Sequence, residues 1–251
     1  MFPKNRYDSR KWFASGTMKK LGTVSLWLLL VLGCVSQNHH TEGMRYYGQA
    51  RYDAAVTAFQ SVLKADPNDS HAMYNIAATY HQSARTSLRS GNTAAAQQQY
   101  AQAIQYYQLC LTQAPNHTNA YRGLSALYMD CRQPDVAFQL LINWNNANPV
   151  SSEPKIELAR LYQEFAEISR IQERTEVAQQ CREVAKQFLQ QVVQTEPTND
   201  RALRALGFLK EQSGDISGAI FEYQRSLQAN PQQQDIAHRI AALTQQEVVA
   251  K

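Results

Sequence analysis

No two of the four cysteines, at positions 34, 110, 131 and 181, stand close enough to form a CxxC pair. Redox and zinc motifs of that kind are therefore excluded. With Cys34 set apart, Cys110, Cys131 and Cys181 remain. An odd number does not suggest a disulfide framework, and we read them as small apolar side chains buried in helices. Export to an oxidising compartment would leave room for one bridge among them. Nucleophile elbows, HExxH, phosphate-binding glycine loops and dinucleotide fingerprints are also absent. His39 and His40 are adjacent, while His71 and His81 sit at a spacing that does not align them on one helix. Glu153 and Glu157 stand one helical turn apart and read as a solvated face. The expectation is a non-enzymatic protein with no catalytic residue, metal site or cofactor.

An excess of one charge is missing from most of the chain. Six of the 25 basic residues (Lys4, Arg6, Arg10, Lys11, Lys19 and Lys20) precede Cys34, against one acid, Asp8. That leaves 19 basic and 20 acidic residues beyond it. A nearly neutral body has no electrostatic footprint for a phosphate backbone, so nucleic acid is not an expected partner.

A long hydrophobic run is lacking too. The apolar stretch Leu21 to Val35 counts 15 residues, short of the roughly 20 that a helix needs to cross a bilayer. It follows Lys19-Lys20 and closes on Gln37-Asn38-His39-His40, without a basic stop-transfer cluster. This is the form of a secretory signal, which we place at 1–33, with Met18 favoured as the start. Ser9-Arg10-Lys11 lacks the second arginine of a twin-arginine signal. Val31-Leu32-Gly33-Cys34 resembles the lipobox of bacterial lipoproteins. That resemblance implies cleavage between Gly33 and Cys34 and a diacylglyceryl group on the Cys34 sulfur. Val35 and Ser36 follow, not aspartate, which by the enterobacterial sorting pattern implies the periplasmic face of the outer membrane.

What the chain does have is an internal repeat. Pro67, Pro115, Pro149, Pro197 and Pro231 each follow an apolar-periodic stretch, at separations of 48, 34, 48 and 34 residues. In the third repeat Tyr121, Leu124, Ser125 and Tyr128 lead to Ala137, Leu141 and Pro149; in the fifth, Leu203, Leu206 and Gly207 lead to Ala219, Tyr223 and Pro231. These intervals resemble the tetratricopeptide repeat of 34 residues. The resemblance implies an all-α, right-handed superhelix of antiparallel helix hairpins. Five repeats are expected at about 36–69, 70–117, 118–151, 152–199 and 200–233, with a terminal capping helix in 234–251. Small residues at Ala55, Ala103, Ala137, Ala185 and Ala219 let paired helices approach closely. Phe59, Tyr107, Leu141, Leu189 and Tyr223, four places on, fill the space toward the next repeat.

Repeats two and four are 14 residues too long, about Ala84 to Gln97 and Ala166 to Gln179. Split evenly, seven residues per helix preserve the facing stripe and extend each hairpin by roughly 10 Å. Gly91-Asn92 is the turn expected in the first, and Glu173-Arg174, by analogy, in the second. Two such prongs flanking a short repeat would leave a notch suited to a partner; the alternative reading is that the longer hairpins merely add stabilising contacts.

Tetratricopeptide arrays present the inner face of their first helices as a concave peptide groove. By helical spacing that face carries Tyr47, Tyr74, Asn75, Arg122, Met129, Arg160, Arg204 and Phe208. The carboxylate clamp of the chaperone-binding subset is not expected: Asn75 alone falls at one of its places, and Gly123 stands where its arginine belongs. Arg122, Arg160, Arg201 and Arg204 form a mildly basic stretch, offset by Glu153 and Glu157. The expected role is a lipid-anchored scaffold in the bacterial envelope, in envelope, pilus or secretion assembly. Its partners are expected in the groove or at the long hairpins. The competing reading is an accessory or regulatory subunit of an envelope enzyme, for example one acting on peptidoglycan.

Overall fold

The computed structural model describes residues 38–249. The signal segment 1–33, the cleavage site at Gly33 and the lipidation site Cys34 lie outside the described residues. Among the described residues every regular element is a helix. They fall into two compact units, divided along the chain between Gln113 and Ala114. The first unit holds α1 (38–48), α2 (Tyr52–Ala65), α3 (Ser70–Arg89) and α4 (Thr93–Gln113). The second holds α5 (Thr118–Asp130), α6 (Pro134–Ala147), α7 (Ser152–Ile171), α8 (Thr175–Thr195), α9 (Asp200–Gln212), α10 (Ile216–Ala229) and α11 (Gln234–Val249). Within each unit consecutive helices pack as hairpins.

One set of local devices recurs from hairpin to hairpin. Asp69, His117 and Asn199 each stand two residues after a proline and cap a first helix. Their side chains accept the backbone N–H of Ala72, Ala120 and Ala202 at 2.8, 3.1 and 3.0 Å, satisfying a donor that the first turn would leave unpaired. Ser151 accepts likewise from Glu153 N. Each first helix then closes on a left-handed residue: Ala50 (φ 56°), Gly91 (80°), Arg132 (57°), Glu173 (61°) and Gly214 (84°). The next residue's N–H returns to a carbonyl five residues back, as in Arg51 to Tyr46, Asn92 to Ser87 and Arg174 to Ser169, at 2.8–2.9 Å. This is the Schellman closure. Each second helix stops before a proline, where Asp66, Asn148, Glu196 and Asn230 leave the helical region with φ between −128° and −140°.

Successive left-handed residues are 41 positions apart at all four steps, from 50 to 91, 132, 173 and 214, although the prolines alternate between 48 and 34. The extra residues of each long hairpin are therefore split evenly. Accordingly α3 and α7 have 20 residues against 13 in α5 and α9, and α4 and α8 have 21 against 14 in α6 and α10. The long hairpins turn at Gly91 and at Glu173, as expected.

Packing follows the small-and-large alternation. Ala55, Ala103, Ala137, Ala185 and Ala219 are all 0% exposed, and the five bulky residues four places on are at most 3% exposed. Burial of each such side chain stabilises by about 1.5–3 kcal/mol. Phe59 joins Ile76 of the next hairpin in one cluster, and Tyr223 joins Ile236 and Leu243 of α11 in another. A Cβ added to Gly207 would sit 2.6 Å from the Tyr223 ring, so the helices α9 and α10 approach closely only because that side chain is missing. Repeat three has Ser125 here instead, fully buried.

Two consequences are measurable. Glu173 holds a conformation that costs a non-glycine residue about 1–2 kcal/mol, against roughly 0.5–1 kcal/mol of extra chain entropy lost by glycine. Glu173→Gly should raise stability by about 0.5–1 kcal/mol in urea unfolding, while Gly91→Val should lower it. Gly207→Ala should destabilise by about 1–3 kcal/mol through overpacking against Tyr223, and Tyr223→Leu in the same chain should recover part of the loss.

Candidate functional site

The inner-face residues expected from the sequence gather at separate places in the two units. In the first unit Tyr47 of α1 and Tyr74 and Asn75 of α3 line a small cavity of about 130 Å³. Asn75 Nδ2 lies 3.2 Å from His40 Nε2, and the His40 ring meets Phe59 edge-on at 5.6 Å between centroids. Burial pushes the Tyr47 phenol above its ordinary pKa. This cavity is well below the roughly 300 Å³ at which small-molecule pockets begin.

The second unit carries the larger recess, of about 510 Å³. Helix α5 contributes Arg122; α7 contributes Ile156, Glu157, Arg160 and Gln163; α9 contributes Arg201, Arg204, Ala205 and Phe208. Tyr223 of α10 and Asp235 and Ile236 of α11 close one end. Arg122, Arg160, Arg204 and Phe208 are thus brought together as the helical spacing predicts. Met129 is not among the lining residues: it packs, half-buried, against the cluster of Leu141, Trp144 and Leu161.

Glu157 reverses the sequence expectation for its pair of carboxylates. It is 0% exposed, and three arginines from three successive first helices converge on it. Arg122 Nε donates to both carboxylate oxygens at 3.1 and 3.0 Å, and its Nη2 also donates to Oε1. Arg160 Nε donates to Oε2 at 2.9 Å, and Arg201 Nη2 to Oε1 at 2.8 Å. The outer ends of the guanidinium groups are bound too. Arg201 Nη1 meets Glu153 at 2.7 Å, Arg160 Nη1 meets Glu164 at 2.9 Å, and Arg160 Nη2 donates to Ser125 Oγ at 3.0 Å. Burial pushes the Glu157 carboxyl up, but its hydrogen bonds and charge contacts with Arg122 and Arg160 outweigh this and hold it below the ordinary carboxylate range. The missed signal was a Glu on one inner helix facing arginines at inner-face positions of the helices before and after it.

The basic stretch is therefore not four available cations. Arg122, Arg160 and Arg201 are neutralised by Glu153, Glu157 and Glu164, and Arg204 alone of the four makes no ion pair among the described residues. Lys210, which stands where repeats usually have a first-helix aromatic, donates to Glu222 at 3.0 Å. Glu222 also accepts from Arg225 at 2.9 Å.

Elsewhere, α8 outreaches the shorter α9–α10 hairpin. The overhang leaves a polar recess of about 310 Å³ between Thr175, Arg182 and Lys186 on one side and Leu209 and Ser213 on the other. Ile171, at the tip, is 69% exposed. Among the described residues no group of three or more His, Cys, Asp or Glu side chains is placed to hold a metal ion. Cys110, Cys131 and Cys181 are free thiols. Burial pushes Cys110 up to about 11, which makes it unreactive at neutral pH. Cys131 departs from the expected helical burial, being a half-buried residue at the C-terminal cap of α5.

Residues 40–85 and 94–161 match two tetratricopeptide repeat family models. These two segments carry tetratricopeptide repeats, an architecture suited to protein–protein interaction and typically non-enzymatic. It is 25% identical over 191 residues to the BBSome complex member BBS4 homolog of Drosophila melanogaster, covering 76% of this chain and 36% of that protein. The chain thus spans about a third of that relative's length. A crystal structure of a thermophilic tetratricopeptide protein from Thermus thermophilus superposes with a TM-score of 0.53 at 23% identity, over 83% of this chain and 98% of that one. A monomeric mutant of IFIT1 with Gppp-AAAA superposes with a TM-score of 0.51 at 13% identity, over 77% of this chain and 47% of that one. At these identities both are likenesses of fold alone.

Glu157→Gln tests the network. Replacing the carboxylate weakens three charge-assisted contacts and should cost about 2–3 kcal/mol. Because the folded pKa is depressed, the stabilisation is present above the unfolded carboxylate pKa and is lost as pH falls through the lower folded value. The gap in unfolding free energy between wild type and Glu157→Gln should be full at neutral pH and close only in strong acid.

Proposed function

We propose that this chain is a lipid-anchored tetratricopeptide scaffold of the bacterial cell envelope that holds protein partners at the recess of its second unit. The observation that carries the binding role is the convergence of side chains from α5, α7 and α9 on one open recess. The backbone hydrogen bonds of these helices are internal, and their apolar faces are used in stacking. The inner face is what remains for recognition. Its mixture of guanidinium, carboxylate and aromatic groups suits a peptide, and no nucleophile–base pair stands within it. Recruitment, not turnover, is the function this composition supports.

Placement in the envelope rests on the sequence Val31-Leu32-Gly33-Cys34 after a basic and apolar leader. Two or three acyl chains at one terminus give stable anchoring, where a single chain would be marginal. Val35 and Ser36 after the cysteine favour the outer membrane, on its periplasmic face. Four peptide steps separate Cys34 from residue 38, the first described residue of α1, a reach of at most roughly 14 Å. The first hairpin would then lie close to the bilayer.

Two measurements test this reading. Intact mass of the protein expressed in a bacterial host should correspond to a chain beginning at an acylated Cys34. Globomycin or Cys34→Ser should leave the unprocessed precursor. A mature chain that keeps Met1 or Met18 with an unmodified Cys34 would overturn the anchor. Crosslinking and affinity purification from membranes should return a defined protein partner, and its absence would overturn the scaffold.

A further inference from the structure

The recess in the second unit contains two charges of opposite sign that the protein itself leaves unmatched. Arg204 on α9 and Asp235 in the first turn of α11 both line it, and neither makes a hydrogen bond or ion pair among the described residues. The neighbouring charges are spent, because Arg122, Arg160 and Arg201 are satisfied by Glu153, Glu157 and Glu164. The same recess is also lined by apolar groups, namely Ala205, Ile236, the Tyr223 ring and Phe208, the last of them 43% exposed. On the α7 side the Gln163 Nε2 is buried without an acceptor, so that wall also has an unused donor. Burial pushes the Tyr223 phenol up, and the nearby positive charge of Arg204 offsets only part of that effect.

From this arrangement we infer that the recess recognises an internal peptide segment carrying an acidic and a basic side chain separated by apolar residues, the acid on Arg204 and the base on Asp235. The inference rests on the binding role proposed above and specifies the ligand. A planar guanidinium pairs a carboxylate through two parallel hydrogen bonds and is weakly hydrated, so it loses little on being covered. Phe208 adjoins that contact and offers a ring to the apolar spacer. Asp235 disfavours a second acid at the α11 end, which sets this site apart from one that reads polyanions. A free chain terminus would answer Arg204 but would leave Asp235 unmatched. The three internally neutralised arginines do not compete for the ligand carboxylate, since each would have to give up Glu157 or its neighbours first.

The test uses the full-length chain in detergent and fluorescent octapeptides, acetylated and amidated, in which one Glu and one Lys flank two leucines in either order. Matched peptides replace Glu or Lys by Gln. A further set has neither charge but keeps a free C-terminal carboxylate. At least one order of the Glu–Lys peptide should bind, and replacing its Glu should weaken binding about tenfold or more. Arg204→Gln should impose the same loss on the Glu peptide while leaving the Gln peptide unchanged. Asp235→Asn should do so for the Lys position. Thermal melts by circular dichroism accompany both variants, and the coupling between variant and peptide separates a lost contact from a general weakening. Equal binding of the Glu and Gln peptides, equal weakening of both by Arg204→Gln, binding of the free-terminus set alone, or no binding at all would each overturn the inference. A membrane partner that is still captured by Arg204→Gln would leave the scaffold in place and remove this specificity alone.

Discussion

A bulky side chain on each second helix, as at Phe59, Leu141, Leu189 and Tyr223, is buried where its own hairpin stacks on the element that follows. No hairpin offers enough apolar surface to cover that residue alone, so stability accrues by stacking. The stacking in turn demands a small residue on the first helix opposite, such as Gly207 or Ser125, because the helices must close on each other. This steric constraint decides most other features. It sets the helices of a hairpin side by side, places their small residues in register and turns one face of each first helix away from the core. The face left over is where polar and charged side chains from successive hairpins of the second unit meet.

Lengthening a hairpin is tolerated only where it respects the same constraint. Seven residues in each helix are close to two turns, so the contact stripe returns to its facing position. The left-handed closure residue recurs every 41 positions as a direct consequence. That closure appears even where Glu173 or Arg132 supplies it in place of glycine, which shows that packing of the two helices outweighs the local backbone cost.

On the leftover face, burial and charge act together. Glu157 is withdrawn fully from water, a position that an isolated carboxylate could not hold in its charged form. Arg122, Arg160 and Arg201 compensate it, and their outward donors reach Glu153, Glu164 and Ser125. Three consecutive first helices are thereby joined through one carboxylate. The same network removes three of four arginines from the pool of groups open to a partner. Arg204, Phe208 and Asp235 line the recess outside that network.

Much of this was legible in the residues themselves. Proline spacing, small-and-large alternation and turn placement are local or strictly periodic properties. The hairpins, their two extended members and the turn at Glu173 could therefore be read without coordinates. Helical spacing alone puts Arg122, Arg160, Arg204 and Phe208 on matching faces of their helices, and all four line one recess. Two things were not legible. Met129 turns into a neighbouring cluster, and Glu157 is buried and not solvated. Each depends on what approaches from an element distant in sequence: Glu157 meets Arg122, 35 residues before it, and Arg201, 44 residues after. Sequence determines the periodic scaffold because its rules are local. Only tertiary structure decides which charges are consumed inside it and which remain for a partner, because that depends on distances between hairpins that no periodicity encodes.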